Sequence, residues 1–183
     1  DSAESCLRAV RMQVGRGVDV IKIATTGGVN GQVGAGLGQQ MFDDEARAIV
    51  EAANLYGKKV AVHAHGNDGI QVALAAGVDS IEHGVWLDDE AIEMMRERGT
   101  YLVATLTAPY QIAHRGLEAG IPSYMVDKGW QVLESHQDSF RRALQAGVRI
   151  AMGTDQGTPV NKPGENAQEI LQMTALGMSS RAA

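Results

Sequence analysis

The sequence predicts an α/β fold in which short parallel strands alternate with helices. One unit occurs five times: an amphipathic helix, a glycine and a short apolar strand. The glycines are Gly17, Gly57, Gly77, Gly99 and Gly147. Glycine suits a helix C-terminus because it takes the left-handed conformation without steric cost. Strands that alternate with helices at this spacing form βαβ units, so we expect a parallel sheet with right-handed crossovers.

The stretch 60–66 has the clearest strand pattern. Successive side chains of a strand point to opposite faces, so His63 and His65 share one face with Ala61. Val60 and Val62 lie on the other face, where branched side chains suit packing against helices. We therefore expect two imidazoles side by side at the end of this strand. The other predicted strands are 18–23, 78–83, 101–105 and 148–155.

The predicted helices have one apolar face and begin at residues that can cap them. Asp43 is a candidate N-cap for a helix whose apolar residues follow the i, i+3, i+4, i+7 spacing. Asn67 and Asp88 are candidate caps for two shorter helices. A longer helix is predicted over 123–146, and a last one over 166–176.

Two predicted connections are long enough to reach a ligand. The first, 25–42, contains several glycines, including Gly31 and Gly34, but lacks the Gly-Lys-Ser/Thr ending of a phosphate-binding loop, so a nucleotide site is not expected. It is either a flexible connection or a mobile lid, and the sequence leaves both open. The second, 107–122, is expected to be a loop. We expect His114 in this loop and His136 in the long helix to be surface residues away from the strand ends.

The composition is that of one soluble globular domain. The chain has 183 residues, of which 16 are basic and 22 acidic, giving a net charge of −6 without a basic cluster. A nucleic-acid partner is therefore not expected. No apolar stretch approaches the roughly 18 residues of a membrane span, so no membrane association is expected. The compartment is left unassigned, with the cytoplasm as the default expectation.

Four predicted strands present a chemically active side chain at the same end. Counted from the preceding glycine, Lys22 is the fifth residue, His63 and His83 are each the sixth, and Asp155 is the eighth. Functional residues of parallel α/β folds lie at the C-terminal strand ends, so we expect these four to converge. Histidine and carboxylate are common ligands of a catalytic zinc-like ion. A charged lysine has no lone pair, so the residues alone make Lys22 a neighbour of the metal or a base.

Four short motifs follow one another along the chain. They are Ile21-Lys22 with Thr26-Gly27-Gly28, Val62-His63-Ala64-His65-Gly66, Ile81-Glu82-His83-Gly84 and Gly153-Thr154-Asp155. In this order they resemble the amidohydrolase superfamily, in particular its prolidase-like and imidazolonepropionase-like branch. The resemblance implies a distorted (β/α)8, or TIM-like, barrel that holds one or two divalent metal ions, with zinc the expected metal.

The resemblance also implies a role for each strand-end residue. Lys22 would be carboxylated by carbon dioxide, and the resulting carbamate would bridge two metals. His63 and His83 would bind the second metal, while Asp155 would bind the first metal and act as the catalytic proton shuttle. His65 matches no ligand position of the superfamily. We assign it to substrate binding or to support of a ligand, with a purely structural role left open.

The chain departs from the superfamily in one respect. Amidohydrolases carry a His-x-His pair on the first strand, which supplies two ligands to the first metal, and nothing before Lys22 resembles it. An eightfold barrel usually needs about 250 residues, and only five strands are predicted. We therefore expect residues 1–183 to be a single catalytic-barrel fragment, about strands four to eight, incomplete at both ends. Such a fragment is expected to lack one metal site and to be inactive or barely active alone.

The function implied by the resemblance is metal-dependent hydrolysis of a C–N bond. The substrate would be a small molecule: a dipeptide, as for a metallopeptidase, an N-acyl amino acid or a cyclic amide. A bound divalent ion lowers the pKa of water from near 15.7 to about 7, which generates the attacking hydroxide. One alternative is a mononuclear deaminase of the same superfamily, against which Lys22 argues, and another is a non-catalytic barrel that binds a small ligand. Homo-oligomerisation is left open.

Overall fold

The computed structural model describes residues 2–29, 36–158 and 160–183, and it confirms the predicted alternation of helices and strands. The helices are α1 (Ala3–Gly15), α2 (Asp43–Leu55), α3 (Asn67–Ala76), α4 (Asp89–Arg98), α5 (Thr107–Arg115), α6 (Ser123–Ala146) and α7 (Ala167–Ala175). The strands are β1 (Val20–Ala24), β2 (Lys59–Ala64), β3 (Ser80–His83), β4 (Tyr101–Val103) and β5 (Arg149–Ile150).

The five strands form one parallel sheet in the order β1-β2-β3-β4-β5. Each strand therefore lies beside its neighbour in the chain, as in the wall of a (β/α) barrel. The register places Ala24 opposite His63 and Ala64 opposite His83, so the C-terminal ends of β1, β2 and β3 meet at one edge. Within the described residues, β1 and β5 each pair on one side only.

The two faces of the sheet differ in burial. Val60, Val62 and Ile81 are fully buried and belong to the core that the sheet forms with the helices. Burying such a side chain contributes about 1.5–3 kcal/mol, so this layer is a major source of stability. The other face is more open: Val20 is 47% exposed and Tyr101 is 41% exposed. The strands thus have the alternation of a sheet packed on one side.

The helix ends follow the predicted pattern in most places. The five junction glycines have φ angles between 63° and 90°, as a left-handed turn requires. Asp88 caps α4, because its carboxylate accepts a hydrogen bond from the Ala91 N–H at 2.8 Å. The predicted caps Asp43 and Asn67 are wrong: each is the first residue of its helix, preceded by Phe42 and Gly66. At α2 the Glu45 carboxylate accepts the Phe42 N–H at 3.0 Å, so an acidic residue inside the helix satisfies the donor.

The last two strands are shorter than predicted. β4 ends at Val103 and β5 covers only Arg149–Ile150, so the predicted strands 101–105 and 148–155 are wrong in their C-terminal halves. Thr105 has a φ of 55° and Asp155 a φ of 51°, which are left-handed values outside the extended conformation of a regular strand. Asp155 therefore lies in the segment after β5 and not on the strand itself.

The connection 107–122 is not a plain loop, because it contains α5. Thr107, Ala108 and Pro109 form the first turn, where proline is tolerated because the first N–H groups of a helix have no intrahelical partner. Ile112 and other apolar residues of α5 are buried, which explains why this segment folds as a helix. His114 lies on the last turn of α5 and is exposed, as predicted for a surface residue.

The glycine-rich connection 25–42 is described at both of its ends. Its Gly31 and Gly34 lie outside the described residues. Across the two described parts, Gln40 donates its N–H to the Thr25 carbonyl at 2.7 Å, and Gly27 donates to the Gly38 carbonyl at 3.2 Å. The two ends of the connection therefore pair with each other. Among the helices of the described chain, none is both long enough and apolar enough to cross a membrane.

Candidate active site

Three imidazoles meet at the C-terminal edge of the sheet. His63 is near the end of β2, His65 follows that strand, and His83 ends β3. The ring centroids are 4.6 Å apart for His63 and His65, 4.5 Å for His63 and His83, and 4.6 Å for His65 and His83. One nitrogen from each ring lies within 4.8 Å of the others, so the three rings could hold one metal ion.

His83 reaches this group through its backbone conformation. In a regular strand His83 would share a face with Ile81, which is fully buried in the core against the helices. Its φ of 72° lies in the left-handed region, and the following Gly84 also has a positive φ of 64°. This turn takes the His83 side chain out of the strand alternation and beside His63.

The connection after β1 packs directly on the histidines. The Thr26 hydroxyl accepts the His65 backbone N–H at 2.9 Å, and the Gly27 carbonyl accepts a hydrogen bond from His63 Nε2 at 3.2 Å. A Cβ atom on Gly28 would lie 3.3 Å from His63 Cε1, closer than an ordinary contact. A glycine at position 28 therefore lets the backbone lie against the imidazole. These contacts connect His63 and His65 to the segment that follows β1.

His83 is held by two side chains from other elements. Its Nδ1 lies 2.7 Å from the Thr105 hydroxyl, and its carbonyl accepts a hydrogen bond from His136 Nε2 at 2.9 Å. The prediction that His136 is a surface residue is wrong, because it is only 1% exposed. The signal was available in the sequence: His136 is four residues from both Val132 and Phe140, which places it on the apolar face of α6.

Lys22 and Asp155 lie beside the three histidines, together with Glu82, which is not among the predicted site residues. Lys22 Nζ is 3.9 Å from Glu82 Oε2, and the Lys22 side chain is half exposed. The Ser80 hydroxyl donates to Glu82 Oε1 at 2.7 Å. The sequence does contain an indication that Glu82 belongs to the site: it lies on the same strand face as Ser80 and directly precedes His83. Glu82 supplies a negative charge close to the lysine.

All five predicted site residues line one cavity of about 310 Å³. Its polar lining includes Lys22, Asp155 and the three imidazoles, and its apolar lining comes from α5 and from the β1–α2 connection. The apolar lining residues are Val29, Ala108, Pro109 and Ile112. His136 also contributes to the wall. The cavity thus combines a few polar groups with apolar surface, which is typical of a small-molecule site.

Comparison with known proteins identifies the family. The profile of the Amidohydrolase family matches residues 1–182. The chain belongs to this family. The predicted membership in the amidohydrolases, an enzyme family, is thereby confirmed, and the five parallel strands are consistent with the predicted partial barrel.

Several amidohydrolase relatives are similar over most of this chain. An ochratoxinase of Aspergillus niger is 36% identical over 160 residues, which is 85% of this chain and 32% of the relative. An imidazolonepropionase of Thermoanaerobacter pseudethanolicus is 28% identical over 145 residues, covering 77% of this chain and 30% of that protein. The chain therefore spans about a third of the length of the curated relatives that it matches.

Solved structures of amidohydrolases share its backbone. A Xaa-Pro dipeptidase with bound methionine in the active site superposes with a TM-score of 0.89 at 40% identity, covering 100% of this chain and 45% of that one. The Aspergillus niger ochratoxinase structure gives a TM-score of 0.86 at 34% identity, covering 100% of this chain and 41% of its own. The fold of the chain is therefore that of part of an amidohydrolase barrel.

The electrostatics of the site favour neutral imidazoles. Burial lowers the pKa of His65 and of His83 well below the ordinary value, and the neighbouring histidines lower both pKa values further. Burial also lowers the pKa of His63. A neutral imidazole keeps the lone pair that a metal ion requires, so the three rings are ready for coordination at neutral pH.

The charged groups of the site are shifted by burial as well. Burial lowers the pKa of Lys22, against the opposing effect of the Glu82 and Asp155 carboxylates. Burial raises the pKa of Asp155, against the opposing effect of His63 and Lys22. Both shifts move the pKa of the group toward neutral pH, which suits groups that exchange protons.

The donor atoms of the site suit a divalent metal ion. His63, His65 and His83 each offer one ring nitrogen, and these nitrogens lie within 4.8 Å of one another. His65 Nδ1 is buried without a hydrogen-bond partner among the described residues, which is unfavourable unless a bound ion or substrate satisfies it. Imidazole nitrogens next to a carboxylate form the donor set that zinc prefers in catalytic sites. The residues present therefore fit the metal that the family relationship implies.

Proposed function

We propose that the protein is a metal-dependent hydrolase of C–N bonds and that residues 1–183 form about strands four to eight of its catalytic barrel. The observation that carries the proposal is the single cavity lined by Lys22, His63, His65, His83 and Asp155. Metal-competent groups that meet at the C-terminal strand ends of a barrel occupy the place where such folds perform catalysis. The similarity to an ochratoxinase and to a Xaa-Pro dipeptidase supports an amide or peptide substrate.

The proposed metal ligands, for one or two divalent ions with zinc preferred, are Lys22, His63, His83 and Asp155. His63 and His83 would hold the second ion, Asp155 would hold the first, and carboxylated Lys22 would serve both. His63 and His83 contribute neutral imidazoles whose rings are 4.5 Å apart. His65 contacts the substrate beside the ion, which would satisfy its unpartnered Nδ1. When bound, a divalent ion supplies a Lewis acid for the carbonyl and lowers the pKa of water to about 7.

Lys22 becomes a ligand only after its charge is changed. The neutral Nζ attacks carbon dioxide: an N–C bond forms while one C=O π bond breaks and its electron pair goes to the oxygen. The nitrogen then loses one proton to solvent, so that the ammonium is replaced by an anionic carbamate. Burial lowers the pKa of Lys22, which increases the fraction of neutral amine. Exposure of half the side chain leaves Nζ accessible to dissolved carbon dioxide. The carbamate oxygens would then provide the oxygen ligands that an ammonium cannot.

Asp155 is the proposed catalytic acid and base. Its carboxylate takes a proton from the attacking water and delivers it to the leaving nitrogen, which lets the amine depart as a neutral group. Burial raises the pKa of Asp155, and a higher pKa improves a carboxylate as a base. The left-handed φ of 51° at Asp155 turns the backbone at this residue where the chain leaves β5.

The proposed substrates are small amides: dipeptides, N-acyl amino acids and cyclic amides. The cavity of about 310 Å³ is of the size that binds small molecules. Its apolar wall on α5 offers contact to a hydrocarbon part of the substrate, while the histidine side receives the scissile amide. The chain alone, without a first-strand His-x-His pair, is proposed to be inactive or barely active.

Zinc binding tests the metal part of the proposal. The metal-free chain is loaded with Zn²⁺ in the presence and absence of bicarbonate, and bound zinc is counted by atomic absorption. We expect bicarbonate to increase zinc binding in the parent and Lys22→Ala to abolish that increase. Lys59→Ala, which removes an exposed lysine from the opposite end of β2, is the matched control. A parent chain that binds no zinc would overturn the metal proposal, and zinc binding unaffected by Lys22→Ala would overturn the carbamate.

Turnover tests the catalytic part. Xaa-Pro dipeptides and N-acyl amino acids are supplied to the zinc-loaded chain, and release of free amino acid is measured. We expect little turnover by the chain alone. Full turnover with two zinc ions bound per chain would overturn the proposal that the chain is a barrel fragment that lacks one metal site.

A further inference from the structure

The His83 side chain has a close contact with Thr105, which follows the neighbouring strand. His83 Nδ1 lies 2.7 Å from Thr105 Oγ1, and the two residues are only 8% and 3% exposed. Within the described residues, Thr105 Oγ1 has no other hydrogen-bond partner. The contact therefore joins the ends of β3 and β4 through two side chains that water does not reach.

The backbone on both sides of this contact is unusual. His83 has a φ of 72° and Thr105 a φ of 55°, and residues other than glycine rarely adopt such values. The turn at His83 is tied to α6 by one imidazole, because His136 Nε2 donates to the His83 carbonyl at 2.9 Å. The contact is therefore supported by a third element that holds the backbone of His83.

The contact with Thr105 determines which nitrogen of His83 is free to bind a metal ion. A neutral imidazole carries its proton on one nitrogen and a lone pair on the other. A histidine that binds a metal through one nitrogen almost always donates the other N–H to a nearby acceptor, which sets the tautomer and the ring orientation. Because Thr105 Oγ1 is within hydrogen-bond distance of Nδ1, it can be that acceptor, and Nε2 is left for the ion.

We propose that Thr105 is a positioning residue for His83: its hydroxyl accepts the Nδ1–H, so that Nε2 carries the lone pair that faces the ion. This inference rests on the proposed function, in which His83 is a metal ligand. Thr105 does not touch the ion or the substrate. It acts through the tautomer and the orientation of His83, and the turn at residue 105 serves to bring its hydroxyl to the ring.

Zinc affinity measures the effect of the hydroxyl. Thr105→Val removes the hydroxyl with little change in shape, and Thr105→Ser keeps it. In competition with a chromophoric chelator, we expect Thr105→Val to weaken Zn²⁺ binding by the chain about 10- to 100-fold, as found for partners of metal-binding histidines. Thr105→Ser should bind close to the parent. Equal Zn²⁺ affinity of Thr105→Val and the parent would overturn the inference.

Thr100 offers a matched control on the same strand. It directly precedes β4 and is also 3% exposed, but its hydroxyl donates to the Val78 carbonyl at 3.3 Å, at the end of the strand away from the histidines. Thr100→Val removes a buried hydroxyl of the same kind. We expect it to leave zinc affinity unchanged. A loss equal to that of Thr105→Val would assign the effect to general destabilisation and overturn the positioning role.

The tautomer of His83 tests the inference without metal. Long-range ¹H–¹⁵N spectra of the metal-free chain distinguish an imidazole protonated at Nδ1 from one protonated at Nε2. We expect the Nδ1–H form in the parent and in Thr105→Ser, and its loss in Thr105→Val. An Nε2–H form in the parent would overturn the inference even if Thr105→Val failed to fold. If the parent bound no zinc, the metal proposal would fail, and this spectrum would still show whether Thr105 sets the tautomer of His83.

Discussion

The two ends of the parallel strands are built in different ways. At the C-terminal end, His83, Thr105 and Asp155 adopt positive φ angles, and they make up three of the four such non-glycine residues in the described chain. At the N-terminal end, the turns from helix to strand use glycines, which take the same conformation without strain. Strained residues are kept where the surrounding structure enforces them and where a side chain must be aimed. The C-terminal strand ends therefore position chemical groups, whereas the N-terminal ends mainly connect helices to strands.

The side chains at the two ends differ in the same way. The N-terminal end carries the Lys59–Asp79 ion pair at 2.6 Å and the Arg149 guanidinium 5.7 Å from the centre of the Tyr101 ring, with Lys59 largely exposed. Such pairs are hydrated and weakly stabilising. The C-terminal end buries neutral imidazoles and the Glu169 carboxylate. Changes at the C-terminal end should therefore have larger effects than changes at the N-terminal end.

The largest expected effect is loss of metal from the C-terminal end. His63→Ala and His83→Ala each remove a proposed ligand, so we expect neither variant to retain stoichiometric zinc after dialysis. His65→Ala should retain zinc, because His65 is proposed to contact substrate. His114→Ala, at an exposed position on α5, is the control. Zinc content by atomic absorption checks these expectations, and zinc loss from His65→Ala would make His65 a ligand.

Acid should destabilise the metal-free chain through the buried histidines. Burial lowers the pKa of His136 to about 4, whereas the unfolded chain has a histidine pKa near 6.5. The unfolded state therefore binds protons first as the pH falls, and the stability present above about pH 6.5 is lost progressively toward about pH 4. Since each pKa unit corresponds to about 1.36 kcal/mol, protonation of this residue should lower the free energy of unfolding by on the order of 3 kcal/mol.

Urea unfolding at several pH values from about 7.5 down to about 4.5 measures this loss. His136→Gln removes the titrating group but keeps an amide that can donate to a carbonyl, so we expect the free energy of unfolding to depend less on pH. His114→Gln makes the same substitution at an exposed position. An unchanged pH dependence in His136→Gln would show that other groups dominate the acid sensitivity.

A smaller effect is expected at Glu169, which supports the C-terminal end from α7. Its carboxylate is 1% exposed and accepts the Leu106 and Thr107 N–H groups, each at 2.8 Å, and the Thr107 hydroxyl at 2.7 Å. Glu169→Gln replaces one acceptor oxygen with a donor and leaves a buried N–H or hydroxyl without a partner. We expect the free energy of unfolding to fall by about 1–3 kcal/mol. A urea titration measures it, with Glu165→Gln as an exchange at a more exposed site.

The smallest effect is expected at the N-terminal end. Lys59→Ala removes the exposed Lys59–Asp79 pair, and surface ion pairs contribute about 0–1 kcal/mol. We expect a change in the free energy of unfolding within this range, decreasing as salt is added. A loss larger than that of Glu169→Gln, measured by the same urea titration, would contradict the contrast between the two ends.

Much of this arrangement follows from local patterns in the sequence. The junction glycines and the alternation in 60–66 depend on residues close in the chain, and they correctly predict the order of elements and the buried face of β2. The convergence of Lys22 and His63 follows because parallel strands align their ends. His83 joins them through its positive φ, which the strand pattern does not predict. The roles assigned to these residues stay predictions.

Other features depend on contacts between residues far apart in the sequence. The positive φ at Thr105 and Asp155, in the segments that follow β4 and β5, falls on residues other than glycine and so has no local signal in the sequence. The partnership of Glu169 with Thr107 spans 62 residues and cannot be inferred from either segment alone. His136 is a different case. Its helical spacing from Val132 and Phe140 indicates burial, but the sequence does not reveal the His83 carbonyl that satisfies the buried imidazole.

The left-handed turn at His83 has a consequence for protein engineering. A redesign that varies alternate strand positions assumes that side-chain alternation, or parity, divides cavity residues from helix-packing residues. In β3 this rule would select Ser80 and Glu82 and would class His83 with the buried Ile81. A redesign based on parity would therefore replace His83 with an aliphatic residue and remove an imidazole from the cavity. For this strand, the backbone angle at its last residue, and not the alternation, defines the positions that new chemistry can use.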